Sequence, residues 1–344
     1  MINYSSLKRR SVIKDKIPAW VILTAILALA HTVNKTTTGD SSFILPDQNI
    51  NKQNHIIKEG YRDIIRYGGY FIAFGTGGRI DRISFAGDPV TLNNPFTNVT
   101  LNEAVTDGKS VIVAGDKGTF LYSADGESYN RLLTGNNTDI NTVTLFGRYF
   151  IAGADSGIIF LSLNGSAWSR LELQIKGNIV SLSADETRCA GVTDRGEIIM
   201  SNDGLNWEIF DYNKIYKGFT RPCRFRKVLT AGKRIAVVGV HDDNTPVVLF
   251  SAMGKVWTER LLNYTDVNGQ NGYLENLPND LAYDPVEDQY LVACDNGEVL
   301  SLPPCTKCNS LVRIGSADLY AVSCSDNFAA VAGSDFFHAK AGLR

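Results

Sequence analysis

Cysteine and histidine are the residues of this sequence best suited to metal or redox chemistry, and one pair has a suggestive spacing. Cys305-Thr-Lys-Cys308 follows Pro303-Pro304. Two cysteines separated by two residues can close a small disulfide loop or supply half of a zinc site. A zinc site needs a second pair of ligands, and the four histidines, at positions 31, 55, 241 and 338, are scattered. We therefore favour a disulfide between Cys305 and Cys308 and predict no bound metal.

The other four cysteines leave two alternatives open. The total of six is even, which fits a chain that folds in an oxidising compartment. Cys189 could pair with Cys223, and Cys294 with Cys324. The other interpretation is that all four are buried free thiols.

No familiar catalytic motif is present in the sequence. There is no Gly-Lys-Thr phosphate loop, no Gly-x-Ser-x-Gly nucleophile elbow and no cluster of metal ligands. We therefore predict no catalytic residue, no cofactor-binding residue and no cofactor, and expect that the protein is not an enzyme.

One stretch concentrates basic and aromatic side chains, and it is our candidate for partner binding. Tyr216, Phe219 and Phe225 are interleaved with six basic residues: Lys214, Lys217, Arg221, Arg224, Arg226 and Lys227. Such a segment could contact an acidic protein surface or an anionic glycan. The alternative is a solvated loop whose aromatic rings pack on the body of the protein. Asn263 to Asp280 is a second, polar insertion that we interpret as a surface loop.

The net charge argues against nucleic acid as a partner. The whole chain carries −2. Its first thirty residues hold five basic side chains and one acidic one, so the remainder is at −6. A negative body is unsuited to general binding of the phosphate backbone.

A short phrase repeats along the chain at an even interval. It begins at Ser123, Ser162, Ser201 and Ser251, so the steps are 39, 39 and 50 residues. The members of the phrase are Ser123, Asp125, Gly126 and Tyr129; Ser162, Asn164, Gly165 and Trp168; Ser201, Asp203, Gly204 and Trp207; Ser251, Met253, Gly254 and Trp257. A period of about 40 residues indicates a repeat architecture.

One repeat unit contains four short strand-like segments. Between Val143 and Leu171, apolar runs of β-branched and aromatic residues are separated by Gly147-Arg148, Gly153 to Gly157 and Asn164-Gly165. Such runs predict antiparallel strands joined by hairpins. Four strands in each unit of about 40 residues are typical of a β-propeller blade. The fold class is therefore predicted as an all-β propeller.

The repeated phrase resembles the Asp-box, or BNR, repeat of sialidase-like propellers, in a form one residue shorter than usual. The Ser hydroxyl and Asp carboxylate can bind backbone amides of their own turn, and the aromatic ring packs beneath it. Asn164 can replace the carboxylate, whereas Met253 cannot. The resemblance implies that the box is structural and remote from any active site. The resemblance also raises the question of sialidase activity. That reaction uses an arginine triad, a tyrosine and a glutamate, and we cannot match this set to residues of the present sequence.

Counting Gly-rich strand ends predicts seven blades. The seventh begins near Leu319 and reaches the end of the sequence after three strands. An open sheet edge promotes aggregation, so a strand from residues 43–58 is expected to pair with the last blade and close the ring.

The N-terminal residues predict export. A basic segment precedes the apolar stretch from Ile17 to Val33. We interpret residues 1–33 as a signal peptide or membrane anchor, preceded by a partial twin-arginine pattern at Arg9-Arg10 or by an ordinary basic flank. Residues 34–54 form a polar tether that includes the closing strand, and residues 55–344 form the propeller. The expected location is the periplasm, a lumen or the cell surface.

Residues 55–344 resemble most closely the non-catalytic exported propellers related to photosystem II stability and assembly factors, in architecture and box spacing. That resemblance implies a seven-bladed disc that uses a basic face to hold membrane-protein partners. We therefore predict a non-enzymatic, exported or membrane-tethered module that docks proteins of an extracytoplasmic or membrane complex. The alternative is a glycan-binding or glycan-hydrolysing propeller.

Overall fold

Short β-branched and aromatic segments punctuated by glycine fold into small antiparallel sheets, as the sequence predicts. The computed structural model describes residues 60–341 apart from 85–88, 93, 95–98, 136, 232–233, 266–268, 304–308, 326–327 and 335. The predicted strand of residues 43–58, the apolar N-terminal segment and the Cys305–Cys308 pair lie outside these residues. In the described part of the chain no helix has the length and apolar character needed to span a membrane.

The described strands form seven sheets, and in six of them neighbouring strands follow one another along the chain. The first three are β1 (Tyr61–Tyr67), β2 (Tyr70–Gly75), β3 (Ile80–Ser84) and β4 (Pro89–Thr91); β5 (Leu101–Thr106), β6 (Val111–Gly115), β7 (Thr119–Ser123) and β8 (Asn130–Leu133); and β9 (Ile140–Phe146), β10 (Tyr149–Ala154), β11 (Ile158–Ser162) and β12 (Ser169–Glu172). The fourth is β13 (Ile179–Ala184), β14 (Cys189–Thr193), β15 (Glu197–Ser201) and β16 (Glu208–Asp211), and the one-turn helix α1 (Tyr212–Ile215) follows it.

The remaining sheets depart from a strict repeat. The fifth is β17 (Cys223–Ala231), β18 (Arg234–His241), β19 (Pro246–Ser251) and β20 (Thr258–Leu261). The sixth is β23 (Pro278–Asp284), β24 (Gln289–Cys294), β25 (Glu298–Leu302) and β26 (Ser310–Arg313), and it is extended by the hairpin β21 (Asn263–Thr265) and β22 (Asn271–Tyr273). The seventh is β27 (Leu319–Ser325), β28 (Phe328–Gly333) and β29 (Phe336–Ala341). The insertion predicted as a loop therefore contributes a two-stranded hairpin.

The first strand of each sheet lies innermost, and these strands contact one another in a circle. β1 touches β5, and the contacts continue through β9, β13, β17, β23 and β27 back to β1. The first and seventh sheets close the circle by apolar packing: Tyr61, Ile64 and Phe71 share a buried cluster with Ala321 and Ala330. The predicted all-β propeller is confirmed.

The predicted count of seven blades needs correction, because the described residues form six complete blades. Within the described residues, six sheets contain the four strands of a complete blade and the seventh contains three. β29 ends at Ala341, and no fourth strand from the described chain pairs with it. The strand expected to complete this sheet belongs to the residues that the structure does not describe.

Strand direction gives the disc two distinct faces. The inner strands begin at one face, which also carries the turns between second and third strands; we call this the mouth face. The opposite, or far, face carries the hairpins between first and second strands and between third and fourth strands. All four Ser-to-aromatic phrases lie in third-to-fourth turns, and therefore on the far face.

Candidate functional site

A β-bulge at the start of every inner strand shapes the mouth of the central channel. In each inner pairing the register shifts by one residue, for example between Tyr61 and Asp63 and between Phe225 and Lys227. The extra residue is left out of the ladder and lies at the rim of the channel. The seven extra residues are Arg62, Asn102, Asn141, Val180, Arg226, Asn279 and Tyr320.

Asparagines at three of these positions tie neighbouring blades together. The Asn102 side-chain amide donates to Asp116 Oδ1 at 3.0 Å and to the carbonyl oxygen of Ile140, in the next blade, at 2.9 Å. Asn141 and Asn279 make the same pair of contacts within their own blades and to the next. The rim is therefore a rigid frame, which suits a surface that presents other side chains to a partner.

Arginines replace asparagine at two rim positions. Arg226 donates to Asn279 Oδ1 at 2.6 Å, and the Arg62 guanidinium lies 5.1 Å from the centre of the Tyr320 ring. Desolvation by the surrounding protein lowers the pKa of both arginines; the charge of Asp295 opposes this shift at Arg226 and that of Asp116 opposes it at Arg62, whereas Arg224 and Arg62 add to it at Arg226. The channel mouth therefore holds arginines that face aspartates of the rim, and an anionic group would bind there in competition with those aspartates.

Below the rim, the next residue of each inner strand faces the adjoining blade. Asp63 Oδ2 accepts the Ala104 amide at 2.7 Å, and Glu103 Oε2 accepts the Val143 amide at 3.1 Å. Thr142, Ser181 and Asp280 accept amides of Leu182, Val228 and Val322 in the same way. These bonds join consecutive inner strands around the channel, so the layer is structural.

The fifth inner strand supplies the cation of this layer. Lys227 Nζ lies 2.5 Å from Glu103 Oε1, across the channel, and 3.2 Å from Asp280 Oδ1, on the adjoining inner strand. Burial opposes the charge on Lys227, but Asp280 and Glu103 outweigh it and raise the pKa of this amine. Burial, followed by repulsion from Glu103, raises the pKa of Asp63 to about 7. Three carboxylates thus share one lysine, and Asp63 is the member best placed to hold a proton.

The six basic residues predicted to bind a partner do not form one patch, although Lys214, Lys217 and Arg224 line a common groove. Lys214 belongs to α1, Lys217 follows it, and Arg221 pairs with Asp243 at the surface. Arg224 and Arg226 belong to β17 and face the mouth. Lys227 must be removed from the candidate set because it is held in the buried ion cluster.

The aromatic residues of the same stretch differ in position. Tyr216 stacks on Tyr212 with ring centres 4.6 Å apart, and Phe225 is buried in the core between the fourth and fifth sheets. Phe219 is 79% exposed. The interpretation of aromatic rings packed on the disc therefore holds for two of the three.

Sequence reasoning missed Arg62, Asp63, Glu103 and Asp280. The signal that could have found them is the same period that revealed the blades. Polar residues recur at positions 63, 103, 142 and 181, each just before the apolar run of an inner strand. Their register could not be assigned without knowing that each strand begins with a bulge.

The repeated corners are built alike on the far face. In each, the Gly amide donates to the Ser hydroxyl at 2.8–2.9 Å. Asp125 Oδ1 accepts the amides of Glu127 and Ser128, both at 2.8 Å, and these bonds lower the pKa of its carboxyl. The three tryptophan indoles each donate to the Gly carbonyl at 3.2 Å: Trp168 to Gly165, Trp207 to Gly204 and Trp257 to Gly254.

The corners also join blades. Trp168 of the third blade stacks on Phe120 of the second, with ring centres 3.9 Å apart. All these polar atoms are engaged in local bonds or inter-blade packing. The far-face corners are therefore scaffold, and the mouth face is the candidate site.

The cysteines within the described residues are unbridged. Cys189, Cys223, Cys294 and Cys324 are free thiols, so the disulfides Cys189–Cys223 and Cys294–Cys324 are not formed. Among the described residues, one group has the ligand types and spacing to hold a metal ion: Cys223, His241 and Glu259.

Comparison with known proteins identifies the fold. No protein-family model matches the chain, and no curated protein matches it. A solved structure of YCF48 bound to D1 peptide is 14% identical, with a TM-score of 0.61 over 88% of this chain and 98% of the other. YCF48 from Cyanidioschyzon merolae is 16% identical, with a TM-score of 0.61 over 83% and 96% of the two chains.

A propeller enzyme is also similar. A catalytically inactive virginiamycin B lyase from Staphylococcus aureus, solved with quinupristin, is 10% identical, with a TM-score of 0.68 over 85% of this chain and 97% of the other. At such identities the likeness establishes the β-propeller fold and no activity. The expected similarity to assembly-factor propellers is supported at this level.

Proposed function

We propose that this protein is a non-enzymatic docking module whose mouth face binds an acidic segment of a partner protein in an extracytoplasmic or membrane complex. The observation that carries the proposal is the pair Arg62 and Arg226 at bulge positions of the channel mouth. A carboxylate placed between them would be bound by charge-assisted hydrogen bonds in a partly desolvated setting. Such arginines are typical anchors of protein interfaces.

The frame around the arginines supports recognition rather than catalysis. Asn102, Asn141 and Asn279 are committed to inter-blade bonds, so the rim is preorganised. A preorganised surface loses less conformational entropy when it binds a flexible segment. The structure of the similar propeller YCF48 with a D1 peptide gives a precedent for peptide binding by this fold.

Three finer features belong to the same proposal. We expect the apolar N-terminal segment to export or tether the disc. We also expect residues 43–58 to supply the fourth strand of the seventh sheet, because β29 otherwise leaves an open edge. Finally, the Ser-to-aromatic corners act as Asp-box turns.

The test compares partner capture by variants of the full chain. The double variant Arg62→Ala, Arg226→Ala removes both rim cations. Arg148→Ala and Arg170→Ala are matched controls, since Arg148 lies in the far-face hairpin between β9 and β10 and Arg170 lies on the outermost strand β12. Full-length protein is incubated with the membrane and extracytoplasmic fractions of its source, crosslinked, and the crosslinked peptides are mapped by mass spectrometry.

The proposal predicts crosslinks between the mouth face and an acidic segment. It also predicts a loss of at least tenfold in recovery for the double variant, equivalent to about 1.4 kcal/mol. Both controls should retain full recovery, and recovery should fall with rising salt. Equal recovery from all four proteins, or crosslinks confined to the far face, would show that the mouth face is not the binding site.

The glycan alternative has one structural feature in its favour. A groove of about 730 Å³ beside the added hairpin is lined by Arg260, Tyr264, Asn271 and Tyr273, and Tyr273 is 67% exposed. Exposed aromatic rings flanked by amides suit sugar binding. A glycan-array signal that Tyr273→Ala abolishes would support this alternative, and a blank array would eliminate it.

A further inference from the structure

The strand that begins beside the channel mouth also carries a group of side chains unrelated to docking. Cys223 is the first residue of β17, and His241 is the last residue of β18 and its direct partner across the ladder. Glu259, on β20 of the same blade, reaches the same point. Cys223 and His241 are almost completely buried, at 0% and 1% exposure.

We propose that Cys223, His241 and Glu259 bind one divalent transition-metal ion of the zinc class. Thiolate, imidazole and carboxylate are the three ligand types that zinc takes from proteins. Two of the three carry a negative charge when they ligate. The site would therefore neutralise the ion completely, as a buried position requires.

The interatomic distances fit the edges of a coordination tetrahedron. Cys223 Sγ lies 3.3 Å from His241 Nδ1 and 3.8 Å from Glu259 Oε2. Metal–sulfur and metal–nitrogen or –oxygen bonds of about 2.3 and 2.1 Å at tetrahedral angles give edges of roughly 3.5 Å. The ligand atoms of all three residues lie within 4.8 Å of one another, so rotation of the side chains would bring them onto three corners.

The contacts around His241 place both ring nitrogens beside atoms of the cluster. His241 Nε2 lies 3.2 Å from Glu259 Oε1. Nδ1 lies 3.3 Å from Cys223 Sγ and 3.3 Å from the Pro222 carbonyl oxygen. The imidazole therefore lies between the thiol and the carboxylate, and a metal ion bound by all three residues would link them.

The surroundings supply orientation and access. The Tyr212 hydroxyl donates to Glu259 Oε2 at 2.9 Å, a contact of the type that fixes ligating carboxylates. An open groove lined by Asn213, Lys214 and Asp242 reaches Cys223 from the mouth face. This groove lies beside the cluster, on the side from which an ion would approach Cys223.

A nucleophilic role for Cys223 fits less well. Desolvation, followed by the charge of Glu259, raises the pKa of its thiol to about 12. A nucleophile needs the opposite shift. A resident metal ion would make the thiolate the stable form.

The test is cobalt binding by the full chain, prepared metal-free in the presence of a reductant. We expect one Co²⁺ per chain, with a sulfur-to-cobalt charge-transfer band in the near ultraviolet and the visible bands of tetrahedral cobalt. One equivalent of Zn²⁺ should displace it. Cys223→Ser should abolish the charge-transfer band, and Glu259→Gln should weaken binding by more than about 100-fold, because it removes a ligand, whereas loss of a group that only orients a ligand costs about 10- to 100-fold.

Two controls locate the signal. Cys294→Ser removes a buried thiol of the sixth sheet and should leave the spectrum unchanged. The pair Cys305→Ser, Cys308→Ser tests the other cysteines with metal-binding spacing. The proposal is overturned if this pair abolishes the signal while Cys223→Ser retains it, or if the parent protein takes up no Co²⁺.

Glu259→Gln also guards against misfolding of the cysteine variant. Zn²⁺ should raise the thermal midpoint of the parent protein and have a much smaller effect on this conservative variant. An equal rise in both proteins would exclude Glu259 as a ligand.

Discussion

Replacing Asp63 with asparagine should make the protein more stable at alkaline pH. Asp63 lies in the channel layer with Glu103, Asp280 and Lys227, and burial raises its pKa to about 7. In the unfolded chain its pKa is 3.8. The folded protein therefore binds the Asp63 proton more tightly than the unfolded chain does. The stabilising contribution of that proton is complete below pH 4 and is lost as the pH rises through 7.

The size of the effect follows from the two pKa values. One pKa unit corresponds to about 1.4 kcal/mol, so ionisation of Asp63 costs at most about 4 kcal/mol at high pH. Between pH 5 and pH 8 the parent protein should lose about 2.5 kcal/mol through this group alone. In the parent protein Asp63 Oδ2 accepts the Ala104 amide at 2.7 Å. Asparagine keeps an oxygen that can accept the same amide, but its side chain cannot ionise.

The assay is urea denaturation of the parent and Asp63→Asn proteins at pH 5 and pH 8. The free energy of unfolding of the variant, relative to the parent, should rise by about 2 kcal/mol between the two pH values. Glu172→Gln is the control, because Glu172 is an exposed residue of β12 paired with Arg170. Its effect should stay within about 0.5 kcal/mol at both pH values. If Asp63→Asn destabilises the protein equally at pH 5 and pH 8, the charged layer does not titrate as argued.

Four further changes probe the scaffold. Lys227→Met leaves Glu103 and Asp280 without their cation, and should cost about 3–5 kcal/mol of unfolding free energy at pH 8, measured by urea denaturation. Asp203→Ala removes the acceptor for two turn amides and should lower stability by about 1 kcal/mol. Met253→Asp installs that acceptor at the fourth corner and should raise stability by about 0.5–1 kcal/mol, whereas a loss would show that the corners are not equivalent. Gly115→Ala places a Cβ about 2.6 Å from the Thr100 carbonyl oxygen, beside the bulge, and should lower the thermal midpoint by several degrees through a cost of about 1–3 kcal/mol.

The sequence was sufficient to predict the blades because each blade repeats a local solution. The Ser hydroxyl, the turn glycine and the aromatic ring of a corner interact within seven residues, so their spacing in the sequence is enough to predict the turn. The bulge at each inner strand was beyond prediction, because it depends on how the starts of the inner strands crowd around the channel. Lys227 illustrates the consequence, since its neighbours in sequence are rim arginines while its ion-pair partners lie on β5 and β23.

The metal ligands were missed for a related reason. Cys223, His241 and Glu259 are separated by 18 residues at each step, far from the short spacings of familiar zinc motifs. They meet because Cys223, the first residue of β17, lies opposite His241, the last residue of the antiparallel strand β18. Glu259 belongs to β20, which lies two strands beyond β18 in the same sheet. Only the sheet register brings them together.

The proposed metal site and the proposed docking site share strand β17, so loss of the metal should affect binding of the partner. Cys223 precedes Arg226 by three residues, so a metal ion at Cys223 would fix the start of the strand that presents one arginine of the docking pair. We therefore expect chelation of the metal to weaken partner capture by several-fold, and Glu259→Gln to do the same without any chelator. Zn²⁺ should restore capture to the chelated parent, while Glu259→Gln should need a higher Zn²⁺ concentration. Capture that is indifferent to chelation in a protein shown to bind Co²⁺ would mean that the metal supports the fifth blade alone, and that the rim arginines are held in place by Asn279 and Tyr320 without it.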